Sequence, residues 1–252
     1  MLEIRGVTVR YGGSVAIDDV TFDVDRNTCT GLIGPNGAGK TSLIDAITGF
    51  TRSSGSVSFE GRQLQALRAH ARARLGVQRS FQGAELFDDL SVLDNILLGH
   101  CPPFRESLQG LLLGRPQRVP EHLRTLIADL GLEDLTATPA QELTHGQRKV
   151  VGLARSLAGR PTLVLLDEPA AGLDRRESAQ LGALLRRVVD DGTTLLLVDH
   201  DMTLIMDICD HVHVLDGGRL IASGTPAEVS ADQLVIDAYL GAPDAVHAEV
   251  AE

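Results

Sequence analysis

The 252-residue sequence is short of lysine, cysteine, positive charge and long apolar runs, and each shortage removes a class of protein. Lysine occurs only at positions 40 and 149, so the chain draws its positive charge from arginine and a lysine inside a motif stands out. Cys29, Cys101 and Cys209 are odd in number and lack C-x-x-C spacing, which argues against a disulfide or zinc framework and for a reducing cytosol. They read as small core residues. A formal net charge of −11 argues against wide contact with a phosphate backbone, so nucleic acid is not expected as a partner. No apolar run approaches the roughly 20 residues of a membrane helix. The start, Met1-Leu2-Glu3-Ile4-Arg5, lacks the basic and then apolar regions of a secretory signal. What remains, 43% hydrophobic and 23% charged residues, is the composition of a globular chain forming one domain or a domain with a subdomain.

Against that background one stretch stands out. Gly34-Pro35-Asn36-Gly37-Ala38-Gly39-Lys40-Thr41 fits the phosphate-binding pattern G-x-x-x-x-G-K-[ST] at every fixed position. Thr28 to Ile33 reads as a strand before it, and Ser42 to Thr48 carries apolar residues at helical spacing after it. Gly37 and Gly39 let successive N–H groups and the helix N-terminus point at an anion. Lys40 is expected on the β- and γ-phosphate oxygens of a nucleotide, and the Thr41 hydroxyl on Mg²⁺.

Leu2 to Arg10 and Ala16 to Val24 alternate apolar and polar residues around Tyr11-Gly12-Gly13, which predicts an antiparallel N-terminal sheet. Tyr11 stands at its turn, where the ring either stacks on a purine or simply packs. Strands are expected from Gly55 to Glu60 and from Leu75 to Phe81, with a helix from Gln63 to Ala73. Arg68, Arg72 and Arg74 read as a solvated helix face, since no aromatic residue is interleaved with them. Ser91 to Leu98 and Glu121 to Leu130 are helical in period. Between them, Pro102 to Pro120 holds Leu111-Leu112-Leu113, read as a short helix folded back on its domain rather than as a contact for a membrane partner.

Leu143-Thr144-His145-Gly146-Gln147-Arg148-Lys149 opens a helix whose exposed N–H groups either bind an anion or are simply capped. Leu163-Val164-Leu165-Leu166 reads as a buried parallel strand delivering Asp167-Glu168 at its C-terminal end, the edge at which open α/β sheets bind ligands. Asp167 is the candidate Mg²⁺ ligand, directly or at one remove, and Glu168 the candidate base for a hydrolytic water. A helix from Arg175 to Val189 and a strand from Thr194 to Val198 lead to Asp199-His200-Asp201, so His200 ends a neighbouring strand on the same edge. His211 and His213 share one face of a strand and, with only Asp210 nearby, read as a polar face rather than a metal site. Pro243 to Glu252 reads as a loose acidic tail.

The phosphate loop, the Leu143 to Gln147 turn, Asp167-Glu168, Ala171-Gly172-Leu173-Asp174 and His200 occur in the order and spacing of ABC transporter ATP-binding subunits, which nearly the whole chain resembles. The resemblance implies an α/β fold: a P-loop NTPase core with a mostly parallel sheet, an N-terminal antiparallel β subdomain and a helical subdomain inserted at about residues 83–158, all within residues 1–242. It implies ATP and Mg²⁺ as cofactors, Tyr11 as the adenine-stacking aromatic, and Ser42 with Gly34 to Thr41 around the phosphates. Gln82 in Arg79-Ser80-Phe81-Gln82 becomes the loop glutamine near Mg²⁺ and water, and Glu168 the catalytic carboxylate. Asp174 becomes the residue communicating between sites, and His200 the γ-phosphate switch. Thr144, Gly146 and Gln147 would act in trans, across a dimer of ATP-binding subunits, although His145 is bulkier than the family's usual residue.

Asp167-Glu168-Pro169-Ala170-Ala171-Gly172-Leu173, His200-Asp201-Met202, Gly224-Thr225-Pro226 and Ala238-Tyr239-Leu240-Gly241 are most similar to the subunits of branched-chain amino acid importers. That resemblance implies transmembrane permease subunits, an extracytoplasmic solute-binding protein and a place on the cytoplasmic face of the membrane. His145 also resembles urea and short-chain amide importers, and a soluble ABC-type ATPase is the alternative outside transport. The single phosphate loop and the absence of a heptad run count against that last reading.

If Lys40 supplies the charge on the phosphates, Lys40→Ala loses most nucleotide binding. Titration with a fluorescent ATP analogue checks this, and parental affinity in the variant would overturn the loop assignment.

Overall fold

A hairpin and a nucleotide-loop strand open the chain. The computed structural model describes residues 1–80, 86–100 and 119–240, so Gln82, Cys101, the Leu111 to Leu113 triplet and the 243–252 tail lie outside the described residues. The elements run β1 (Leu2–Tyr11), β2 (Ser14–Val24), β3 (Cys29–Ile33), α1 (Lys40–Thr48), β4 (Ser54–Phe59), β5 (Arg62–Gln63), α2 (Ala69–Arg74) and β6 (Val77–Arg79). They continue with α3 (Val92–Gly99), α4 (Glu121–Asp129), α5 (His145–Leu157), β7 (Leu163–Asp167), α6 (Arg175–Asp190) and β8 (Thr194–Val198). The last are α7 (Met202–Ile208), β9 (His211–Asp216), β10 (Arg219–Gly224), α8 (Pro226–Ser230) and α9 (Gln233–Leu240). By contact the chain divides into two units, residues 1–79 with 162–252, and residues 80–161.

The first unit holds two sheets. One has the order β2-β1-β4-β5 and is antiparallel, as the alternation in the first 24 residues predicts. The other has the order β10-β9-β3-β8-β7-β6, parallel from β9 to β6 with β10 antiparallel at one edge. β3, β7 and β8 are buried along their whole length, which is why their sequences are apolar runs rather than alternations. Leu2, Ile4, Val9, Leu43, Ile47, Phe59, Leu165 and Leu196 belong to one apolar cluster that joins both sheets to α1. Cys29 and Cys209 are buried free thiols, as core residues should be.

Two local expectations change. The helix expected from Gln63 begins only at Ala69, because Gln63 pairs with Ser58 in a hairpin. The strand expected from Leu75 is short, because Gly76 adopts φ +98 before β6 begins. Arg72 is not part of a solvated face: it is 6% exposed, and its Nη1 donates to the carbonyls of Ala46 and Ile47 at 2.7 Å each. It thereby satisfies acceptors at the C-terminal end of α1 that the helix itself leaves open.

The described residues of the second unit are mainly helical. Ser91 caps α3 by accepting from the Asp94 N–H, and α3 packs on α5. Arg148 on α5 donates to the Ala140 carbonyl at 2.8 Å and pairs with Asp88 at 2.8 Å.

His211 and His213 do share a face of β9, and Ser223 on β10 lies between them, 2.9 Å from His211 Nε2 and 3.0 Å from His213 Nδ1. That face is polar but covered at His213, which is 3% exposed, with its ring centroid 4.2 Å from that of Phe22. The Asp23 carbonyl can only accept, so His213 Nε2 carries the proton and donates to it at 3.3 Å. Burial, then the nearby His211, lower the His213 pKa from 6.5 to about 4. The unfolded chain therefore binds this proton first, and stability present above pH 6.5 is lost as pH falls toward about 4. The loss reaches about 1.4 kcal/mol per pH unit within that window at most. Urea unfolding from pH 7.5 to pH 4.5 should show a shallower decline in His213→Gln than in the parent; equal slopes would refute the assignment.

Candidate nucleotide site

Parallel strands end on the same side, so β3, β7 and β8 bring three distant segments to one sheet edge. The loop of residues 34–39 follows β3, Asp167-Glu168 closes β7, and Asp199-His200 follows β8. The loop needs its outer glycines for space as well as conformation. A Cβ on Gly34 would lie 2.0 Å from the Leu215 carbonyl oxygen, and one on Gly39 would lie 2.4 Å from that of Ala16. Gly37 faces open space within the chain, and its φ of +81 is what favours glycine there.

Lys40 begins α1 directly after Gly39, which takes a left-handed conformation at the N-cap. Its ammonium donates to the carbonyls of Gly34 at 2.7 Å and Pro35 at 3.0 Å, folding the side chain back along the loop. Burial lowers the Lys40 pKa, opposed by the negative charges of Glu168 and Asp167, so all three groups share one neighbourhood. Thr41 is exposed beside it.

Asp167 is nearly inaccessible, and its Oδ2 accepts from Arg79 Nη2 at 3.0 Å. Burial raises the Asp167 pKa, and the Arg79 guanidinium opposes that rise. Glu168 sits at φ +49, a left-handed conformation rare for a non-glycine residue, and its N–H donates to the Val198 carbonyl at 2.7 Å. Such strain is held only where surrounding bonds enforce it.

Asp199, 1% exposed, fastens the neighbouring segments together. Its Oδ1 accepts from the N–H groups of His200 at 2.8 Å and Asp201 at 3.0 Å, and its Oδ2 accepts from the Ala170 N–H at 3.1 Å. The His200 side chain itself is 64% exposed, available to something outside the fold. Tyr11, 49% exposed, ends β1, and the paired strand β2 supplies the Ala16 carbonyl on which Gly39 packs. The antiparallel sheet thus packs the β2 backbone on the loop, with Tyr11 at the end of the paired strand. Asp174 caps α6 through a reciprocal box with Glu177, its Oδ1 accepting at 2.8 Å.

In the second unit, Thr144 and Gln147 form the same kind of box at the start of α5: the Gln147 N–H donates to Thr144 Oγ1 at 3.3 Å, and the Thr144 N–H donates to Gln147 Oε1 at 2.9 Å. Thr144 and His145 are exposed there, and Gly146 is half-buried.

Three groups escaped the sequence reading. Arg79 precedes the expected loop glutamine and gave no sign that its partners would be Asp167 and Asp45. Asp199 looked like a neighbour of His200 rather than its anchor. Tyr239 on α9 has its hydroxyl beside the backbone of Gly34, and burial raises its pKa. The only sequence signal for it was the motif resemblance at Ala238 to Gly241.

The family described as ABC transporter matches residues 17–171, and that described as branched-chain amino acid ATP-binding cassette transporter matches residues 219–245. The chain is 34% identical to the high-affinity branched-chain amino acid transport ATP-binding protein BraF of Pseudomonas aeruginosa, covering 96% of this chain and 98% of that one. It is 32% identical to the lipopolysaccharide export system ATP-binding protein LptB of Escherichia coli, covering 95% and 97%. A crystal structure of the ADP conformation of an ATP-binding cassette of an ABC transporter superposes with a TM-score of 0.84 at 28% identity, covering 96% of this chain and 98% of the other. A nucleotide-free cassette gives 0.83 at 28% identity, covering 95% and 98%.

If Glu168 is the base for the attacking water, Glu168→Gln keeps the shape of the side chain but removes the charge that accepts a proton. ATP turnover should fall by on the order of 10²- to 10⁴-fold while ATP binding is retained. A phosphate-release assay beside a binding titration separates the two, and parental turnover would exclude Glu168 as the base.

Proposed function

This chain belongs to the family of ABC transporter ATP-binding proteins and hydrolyses ATP, and we propose that it powers import of branched-chain amino acids through separate membrane subunits. The observation that carries this reading is the match of residues 219–245, outside the shared ATPase region, to the branched-chain amino acid group. Full-length similarity to BraF, and 33% identity to LivG of Escherichia coli over 96% of this chain, support it. No helix among the described residues is long and apolar enough to cross a membrane, which fits a transmembrane path supplied by permease partners. An extracytoplasmic solute-binding protein completes the proposed complex, with this chain on the cytoplasmic face.

The loop from Gly34 to Ser42 holds the phosphates, with Lys40 moving from the Gly34 and Pro35 carbonyls to the β- and γ-oxygens. Tyr11 stacks on adenine. Among the described residues no group of three or more histidine, cysteine or carboxylate side chains could hold a metal alone. A hydroxyl at Thr41 and a carboxylate at Asp167, completed by phosphate oxygens and water, suit Mg²⁺, which takes few protein ligands. When bound it neutralises phosphate charge. Gln82 joins that set by resemblance. Glu168 takes the proton of the attacking water, and His200, fixed by Asp199, meets the γ-phosphate. Two such chains close around nucleotide, with Thr144, Gly146 and Gln147 of each covering the phosphates held by the other and Asp174 at the seam. Closure is then transmitted to the permease.

Purification from the native membrane, followed by reconstitution, tests the assignment. Leucine with its binding protein should stimulate ATP hydrolysis and drive uptake. Stimulation by urea or a short-chain amide alone would move the chain to that group of importers, and outward lipid movement would make it an exporter. In the Glu168→Gln background Mg-ATP should trap a dimer, and Gly146→Asp should abolish it by facing a carboxylate toward phosphate. A dimer indifferent to Gly146→Asp would refute action in trans.

A further inference from the structure

One guanidinium ties together three elements of the site. Arg79 ends β6, and its Nη1 pairs with Asp45 on α1 while its Nη2 holds Asp167 Oδ2 at 3.0 Å on β7. The side chains of Arg79 and Asp167 are 9% and 1% exposed, so this is a buried pair and not a surface contact. Asp45 lies four residues beyond Thr41, on the same face of α1. The bridge therefore spans from the helix face bearing the Thr41 hydroxyl to the strand end bearing the Asp167 carboxylate.

A buried ion pair is a costly way to hold a fold together, and apolar residues of similar volume often serve as well or better. What arginine adds is direction, because its planar fork fixes where each carboxylate points, as a lysine ammonium does not. Burial works against the ionised form of Asp167, and Arg79 works against that.

We propose that Arg79 is a positioning residue for the metal-binding carboxylate, orienting Asp167 and locking it to α1 through Asp45. The proposal rests on the reading of Asp167 as a metal ligand given above.

The test uses the full chain and Mn²⁺ as the probe. ATP binding is titrated in EDTA and with Mn²⁺, and bound Mn²⁺ is followed by electron paramagnetic resonance in the parent, Arg79→Gln and Arg79→Lys. Loss of a group that orients a metal ligand typically lowers metal affinity about 10- to 100-fold, and Arg79→Gln should do so for Mn²⁺ in the ATP complex. ATP affinity in EDTA should stay at the parental value, which a general loss of structure would not allow. Arg79→Lys should recover part of the loss by retaining the charge while losing the fork. Mn²⁺ affinity in a folded Arg79→Gln equal to that of the parent would overturn the proposal. If Arg79→Gln does not fold, Arg79→Lys decides: parental Mn²⁺ affinity there would overturn it equally. A parent that binds ATP but shows no Mn²⁺ dependence would instead remove the metal reading of Asp167 on which the proposal stands.

Discussion

Burying acidic groups at the mouth of a dry parallel sheet is the constraint on which the rest of this structure depends. Asp167 emerges from a strand with no exposed residue, where an uncompensated carboxylate would be forced to take up a proton. Cationic groups on separate elements surround it and oppose that proton uptake. Arg79 reaches it from β6, and Lys40 stands in its field from α1. Both cations are partly desolvated themselves, so neither side of the arrangement is comfortable alone. Under the proposed function, the ligand of this site brings its own phosphate charge and its own cation.

Sheet topology converts that local balance into a working edge. Parallel pairing of β3, β7 and β8 puts all three C-terminal ends on one side although they are far apart in the chain. The backbone at those ends is then shaped by very few contacts. Gly34 and Gly39 have no room for a side chain, Glu168 is held left-handed, and Asp199 gathers three N–H groups from two segments. Strain of this kind persists because the buried strands on either side cannot shift to relieve it.

Much of this architecture was legible in the residues. The first 24 residues alternate as a hairpin must, and the runs at Leu163 and Thr194 are too apolar to be anything but covered strands. The phosphate loop was legible because its glycines and lysine sit at positions with little chemical freedom. Arg72 was misread as a solvated residue because arginine usually is one, and only the end of α1 above it shows why this one is buried. His213 was legible as a strand residue but not as a covered one, since the cover comes from Phe22 and Asp23 about 190 positions away.

By itself the sequence determined which residue types stand in the glycine-rich loop, at the acidic end of β7 and after β8, because each is a local pattern beside a strand whose apolar run marks it as buried. Only the tertiary structure decided which charges those groups would meet. Arg79 with Asp45 and Asp167, Asp199 with Ala170, and Tyr239 beside Gly34 are contacts between segments tens to hundreds of residues apart. No local spacing encodes them. They arise when apolar strands are forced into one buried sheet and the polar groups at its edge must find partners among whatever that packing brings near.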